Sequence, residues 1–298
     1  MSLKTKRVSY QVLQSLVLLF VCALSTVLAT AQNYTVTNLS LGGSYGGITV
    51  SPPFNALNQT AGISFIAGDT AYHAFFYDGA LLRDLGTLGG SNSYPSFLND
   101  SGQVVGSSYT AGGTNNVFSW TQAGGMIDVG TLGGGYSLPI AVNDSGQVVG
   151  YSSTAGGTNH AFSWTQAGGM IDLGTLGGSY STPFFLNDSG QVVGYSYTAG
   201  NNAYHAFSWT QAGGMFDLGT FGGSYSYPIA VNAAGQVVGY STTAGDSAYH
   251  AFSWTQAGGI VDLNARIPSA PAGLVLYYAS AVSGSGLIVA ESSAGLCC

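Results

Sequence analysis

The chain has 298 residues, of which only 6% are charged, and twelve carboxylates stand against five lysines and arginines. A chain so poor in cations cannot neutralise a phosphate backbone, which argues against nucleic acid and anionic membranes as partners. The surface must be covered instead by Ser, Thr, Asn, Gln, Tyr and Gly.

The first predicted element is a secretory signal. Lys4, Lys6 and Arg7 precede an apolar run from Leu16 to Leu28, and Ala29-Thr30-Ala31 has the small-x-small form of a cleavage site. The apolar core is short and broken by Ser25 and Thr26, which favours a signal over a membrane anchor. Val21 precedes Cys22 where a lipoprotein signal wants a small residue, so no lipid attachment is expected. Residues 1–31 are therefore read as a signal peptide and 32–298 as one domain, with no membrane span after cleavage. Cleavage removes every lysine and leaves Arg83 and Arg266 against twelve carboxylates, a net charge of −10. Chemistry that depends on lysine is then excluded. Of the cysteines only Cys297 and Cys298 remain, and adjacent cysteines make neither a disulfide framework nor a zinc site.

From Tyr34 onward one unit of 44 or 45 residues recurs in nearly literal copies. Gly-Gln-Val-Val-Gly starts at Gly102, Gly146, Gly190 and Gly235, and Phe-Ser-Trp-Thr-Gln-Ala-Gly-Gly starts at Phe118, Phe162, Phe207 and Phe252. Asp-(Leu/Val)-Gly-Thr-(Leu/Phe)-Gly-Gly starts at Asp84, Asp128, Asp172 and Asp217. Within one copy, Ser181–Asn187, Gln191–Tyr197, His205–Thr210 and Met215–Leu218 are short β-forming runs bounded by turn residues. Asn187-Asp188-Ser189-Gly190 suits a tight hairpin, because its side chains bond their own backbone before a glycine that accepts positive φ. No stretch after the signal has a useful helical period. The fold class is all-β, and four antiparallel strands per repeat make a sheet the size of a β-propeller blade. Such a blade needs neighbours to cover its Phe, Trp and Leu side chains.

The flanks of the repeats suggest closure of a ring. Tyr34–Gly43 matches only the last strand of a repeat, and Leu274–Glu291 only the first two. The expectation is five blades plus a composite sixth, in which Tyr34–Leu41 joins the sheet of Leu274–Ala290. After Glu291 no His-Ala-Phe-Ser-Trp equivalent is seen, so the sixth blade is expected to be incomplete.

His-Ala-Phe at 73, 160, 205 and 250, with Asp-Leu-Gly-Thr-Leu-Gly-Gly and Asn-Asp-Ser-Gly-Gln-Val-Val-Gly, resembles the bacterial HAF-type extracellular repeat proteins. The resemblance spans nearly all of residues 34–291. It implies a secreted bacterial protein and carries no catalytic residues. Asn116-Val117-Phe118 in place of His-Ala-Phe, and a divergent first blade, depart from the pattern.

Residues present in every copy are read as holding the unit together. His73, His160, His205 and His250 lie in different repeats and cannot converge on one metal ion at zinc distances. Asn116 replaces one of them, which marks the position as a hydrogen-bonding one. Asp100, Asp144 and Asp188 are assigned to turn chemistry, since calcium needs six or more clustered oxygens and Ala233 stands in their place later in the chain. Asp84, Asp128, Asp172, Asp217 and Asp262 are read as strand-to-loop ties. Asn99, Asn143 and Asn187 form Asn-x-Ser triplets inside tight turns, so glycosylation is discounted. No paired acid–base set, phosphate loop or dinucleotide fingerprint appears, and neither a cofactor nor enzyme activity is expected.

The candidate ligand-binding face is Tyr45, Tyr136, Tyr180 and Tyr225, each placed after the double glycine that leads into the next blade; Asn92 holds that place in the second copy. Aromatic rings near a channel mouth can stack on sugars or anchor a protein, and they can equally pack the crossing between blades. Polar variation between copies gathers at 110–115, 154–159, 198–204 and 243–249, which favours binding. The sequence thus reads as a secreted binding or structural module for an extracellular polysaccharide or cell-surface component. The alternatives are a protein-interaction scaffold and, further off, a glycan-cleaving enzyme. Oligomeric state is not legible.

Overall fold

The computed structural model describes residues 36–297 apart from Pro52, Ser269 and Ala270. Two units are distinguished, Met1–Asn38 and Leu39–Cys298. The signal segment, Tyr34, Thr35 and Cys298 lie outside the described residues. In the first unit, 36–38 are described and carry no regular structure.

The second unit is a series of antiparallel sheets. Sheet 1 comprises Gly42–Ile48, Thr60–Ile66, Tyr72–Tyr77 and Leu82–Asp84. Sheet 2 comprises Gly89–Leu98, Val104–Thr110, Asn115–Thr121 and Gly125–Gly130. Sheet 3 runs through Gly133–Val142, Val148–Thr154, Asn159–Thr165 and Gly169–Gly174. Sheet 4 repeats the order with Gly177–Leu186, Val192–Thr198, Tyr204–Thr210 and Gly214–Asp217. Sheet 5 has Gly222–Val231, Val237–Thr243, Tyr249–Thr255 and Gly259–Asp262. Sheet 6 has three strands among the described residues, Leu276–Val282, Ile288–Ser292 and Gly295–Cys297. Single parallel pairings, Asn115 with Tyr136, Asn159 with Tyr180 and Tyr204 with Tyr225, join sheets 2 to 5 into one hydrogen-bonded array.

Two findings correct the sequence reading. The first strand of each repeat begins at the double glycine, several residues earlier than expected, so Tyr136, Tyr180 and Tyr225 belong to strands and not to connections. Their runs of Gly, Ser and Tyr have no apolar alternation, and the pairing of the next strand is what holds them extended. Sheet 6 also has its third strand at Gly295–Cys297, where none was expected. Ala290 pairs with Cys297 there as Gly194 pairs with Phe207 in sheet 4. Three residues are enough for backbone pairing even though the His-Ala-Phe side chains are missing. Residues 36–41 form no strand.

The core is divided between the junctions of consecutive sheets. At the first four, one face of a sheet meets Val, Phe and Trp of the next. Val149, Ala161 and Leu173 of sheet 3, for example, pack on Val192, Phe207 and Trp209 of sheet 4. The same arrangement recurs between sheets 1 and 2, 2 and 3, and 4 and 5, and a smaller cluster joins 5 to 6. Gly150 shows why the Val-Val-Gly motif is so regular. A methyl group on it would run into the Leu138 carbonyl and would lie 2.8 Å from the Phe162 ring. Close approach of the first strand and an aromatic cover together demand glycine.

Candidate functional site

Each first strand has two ends, and the two carry different chemistry. At its far end lies the Asn-turn. Asn143 accepts hydrogen bonds at Oδ1 from Gln147 N at 2.9 Å and Ser145 Oγ at 2.8 Å, while its Nδ2 donates to Asn187 O of the next sheet at 3.2 Å. The same donation runs from Asn55 to Asn99 O, Asn99 to Asn143 O, Asn187 to Asn232 O and Asn232 to Ser283 O. Buried side chains with every polar atom used are structural fasteners. Gln103, Gln147, Gln191 and Gln236 add a bond from Nε2 to a serine of their own sheet, each at 2.8 Å.

Asp100 and Asp144 do not act within their turns, as the sequence suggests. Asp100 accepts from Ala56 N at 2.7 Å and Asp144 accepts from Asp100 N at 2.8 Å, so they tie one sheet to the preceding one. With Asp188 they line a cavity of about 290 Å³ floored by Phe97, Val142 and Leu186.

The histidines and the recurrent aspartates, read separately from the sequence, are partners. Nδ1 of His73, His160, His205 and His250 sits 2.9, 3.0, 2.8 and 2.7 Å from the carboxylates of Asp84, Asp172, Asp217 and Asp262. Asn116 reaches Asp128 at 2.9 Å in the remaining copy. Asp84, Asp128, Asp172 and Asp217 also accept from a glycine N two residues on. Among the described residues no group of three or more metal-ligating side chains gathers.

The near end of the first strand is the tyrosine end. Tyr136, Tyr180 and Tyr225 are half-buried there, each beside the polar loop between the second and third strands of a sheet. The Tyr136 hydroxyl donates to Asn159 Oδ1 at 2.8 Å. Ser179 N donates to Asn201 Oδ1 at 2.8 Å and Ser224 N to Asp246 Oδ1 at 2.7 Å, so loop side chains pin the backbone just before Tyr180 and Tyr225. Tyr45 is 60% exposed and makes no ring contact with another aromatic among the described residues. Asn92 instead accepts from Tyr72 N at 2.8 Å. The two features singled out in the sequence, tyrosines and variable loops, therefore meet at sheets 3, 4 and 5.

Sequence reasoning missed the larger part of this surface. Tyr195 pairs across the strands with Thr182, Tyr240 with Tyr227, and Glu291 with Tyr278. Rings of successive sheets then touch, Tyr195 with Tyr227 at 5.7 Å and Tyr240 with Tyr278 at 4.9 Å, and Tyr227 and Tyr240 within sheet 5 link the two pairs at 5.5 Å. Tyr204 joins Tyr195 at 5.1 Å and Tyr225 at 4.7 Å, and Tyr180 joins Tyr195 at 5.9 Å. Phe184 packs on Tyr195 and Tyr227, and Tyr249, 45% exposed, on Tyr240 and Tyr278. These separations are those of favourable aromatic pairs. Partial burial pushes the phenols of Tyr195, Tyr204, Tyr227 and Tyr240 above their ordinary range. Neighbouring tyrosines add to the shift at Tyr195, Tyr204 and Tyr240. They stay neutral well into alkali. The available signal was the residue after Val-Val-Gly, which is Ser107, Tyr151, Tyr195 and Tyr240 in successive copies.

No family model and no curated protein matches the chain. Solved structures do resemble it. Dipeptidyl peptidase 4 of Porphyromonas gingivalis is 12% identical with a TM-score of 0.50, over 82% of this chain and 41% of that one. TolB of Acinetobacter baumannii is 15% identical with a TM-score of 0.41, over 72% and 53%. Aleuria aurantia lectin, solved in complex with α-methyl-L-fucoside, is 12% identical with a TM-score of 0.32, over 85% and 92%. The chain spans about half the length of that TolB. Among the described residues no helix is long and apolar enough to cross a membrane. What the peptidase likeness and the stacked antiparallel sheets establish together is an all-β fold of the β-propeller type.

Proposed function

We propose that this protein is a secreted, non-catalytic binding module of the HAF-type repeat class. It holds an extracellular polysaccharide or cell-surface glycan on the tyrosine surface of sheets 3 to 6. The observation that carries this reading is the contact network of half-exposed rings at the loop end of the first strands. Phenol rings present apolar faces to sugar rings while their hydroxyls remain wet. In the core, by contrast, Phe118, Phe162, Phe207 and Phe252 are fully buried.

The reading includes a ring of six sheets in which sheet 6 closes on sheet 1. Support comes from Phe75, buried to 1% exposure. By strand register it corresponds to Phe118, Phe162, Phe207 and Phe252, each of which packs against the preceding sheet. Sheet 1 has no preceding sheet in the sequence, and closure by sheet 6 would supply one. Secretion rests on the basic, apolar and small-residue order of residues 1–31.

The test is a glycan array with the mature protein, followed by calorimetry with soluble hexasaccharides. Binding that disappears in Tyr195→Ala and Tyr227→Ala variants that remain folded is expected. No glycan binding, with capture of a cell-surface protein through the same tyrosines, would replace this reading by the interaction scaffold. Hydrolysis abolished by one Asp or His substitution would make the protein an enzyme.

A further inference from the structure

We propose that the tyrosine surface is selective for an amine-bearing polysaccharide, a polymer of deacetylated amino sugars, over neutral and acidic ones. The inference rests on the polysaccharide reading above and adds the charge of the ligand. Three observations point to it.

The first is what takes the tyrosine's place in the last sheet. The position opposite the first strand is Tyr151, Tyr195 and Tyr240 in sheets 3, 4 and 5, and Glu291 in sheet 6. Glu291 is exposed and is the only glutamate in the protein. Directly opposite residues on antiparallel strands share a face with Cβ atoms about 5 Å apart, so this carboxylate flanks the Tyr278 ring, itself 4.9 Å from Tyr240.

The second is the scarcity of competing cations. Arg83 is held by Asp78 in sheet 1 at 3.3 Å, and Arg266 lies in the short helix Leu263–Arg266 after sheet 5. With residues 1–31 removed no other lysine or arginine exists to meet an anionic sugar. Asp246, which pins the strand before Tyr225, adds a second negative group at the same end.

The third is the rings themselves. An aromatic face is negative, and an ammonium over it is attracted electrostatically, most where water is partly excluded. Half-buried tyrosines edged by carboxylates favour a cation twice, through the ring and through the acid. A neutral sugar gains only the stacking, and an acidic one is repelled.

The experiment is calorimetry of the mature protein with three hexamers: glucosamine, N-acetylglucosamine and cellohexaose, at a pH where the amines are protonated. The glucosamine hexamer is expected to bind about tenfold or more tighter than either neutral hexamer at low salt. Raising ionic strength to about 1 M, where the Debye length is about 3 Å, should shrink that advantage. Glu291→Gln should reduce the ratio several-fold, and Glu291→Asp should keep most of it. Equal or tighter binding of the neutral hexamers refutes the selectivity and leaves the polysaccharide reading standing. A preference untouched by both salt and Glu291→Gln refutes the electrostatic origin. Hexalysine binding as tightly as the glucosamine hexamer would make the ligand a basic peptide. Failure of all three hexamers defeats the polysaccharide reading and this inference with it.

Discussion

The two ends of the same first strand are built differently in this molecule. At the Asn-turn end, Asn55, Asn99, Asn143, Asn187 and Asn232 make one donation to the next sheet, copy after copy. At the tyrosine end, the residue paired to the first strand runs Ile63, Ser107, Tyr151, Tyr195, Tyr240 and Glu291. One end is uniform because every junction must satisfy the same buried groups. The other varies because its residues are half-buried or exposed and carry no buried polar group that must be satisfied in every copy. Repetition marks the fastening, and departure from repetition marks the surface free to bind.

The comparison breaks first if the shared core is not what holds the sheets together. Phe207→Ala empties a fully buried site at the junction of sheets 3 and 4. A loss of about 3–5 kcal/mol in denaturant unfolding is expected. Asn143→Ala tests the fastening end directly. It strands Gln147 N and the Asn187 carbonyl, both partners of the buried Asn143 side chain, for an expected loss of about 1–3 kcal/mol. A loss under about 0.5 kcal/mol would mean water replaces the ladder freely.

The tyrosine end should respond in the opposite sense. Tyr227→Ala removes stacking against Tyr195 and Tyr240, worth roughly 0.5–1.5 kcal/mol per pair, and is expected to cost about 1 kcal/mol of stability while abolishing glycan binding. If stability falls as far as in Phe207→Ala, the rings belong to the core. The raised phenols give a pH signature. Folded Tyr195, Tyr204, Tyr227 and Tyr240 hold their protons at a pH where the unfolded chain has lost them. Their contribution to stability is complete below about pH 10 and is lost as pH rises through the folded values. Tyrosinate absorbance should therefore appear later in the native protein than in denaturant. The smallest effect is expected from His205→Asn, under about 0.5 kcal/mol by thermal melting, because Asn116 already performs the same contact with Asp128.

The period of the repeat was enough to establish an all-β chain of stacked four-stranded units, and literal copying marked Val-Val-Gly and Phe-Ser-Trp as framework. Those are local matters: strand period, turn residues and a glycine that must let a carbonyl past. The histidines were legible as one to a unit, in units that are separate in the sequence. What they touch was not legible, because His205 and Asp217 are twelve residues apart and meet only when the third and fourth strands pair. Asp100 and Asp144 were misread for a similar reason. Their partners lie 44 residues away, in the preceding sheet. Tyr136, Tyr180 and Tyr225 stood out in the sequence because each follows a double glycine, whereas Tyr195, Tyr227, Tyr240 and Tyr278 looked like ordinary strand residues. Only the stacking of sheet on sheet brings those rings within about 6 Å of one another, because cross-strand register and the approach of neighbouring sheets, neither of them a local property of the chain, decide which side chains share a surface.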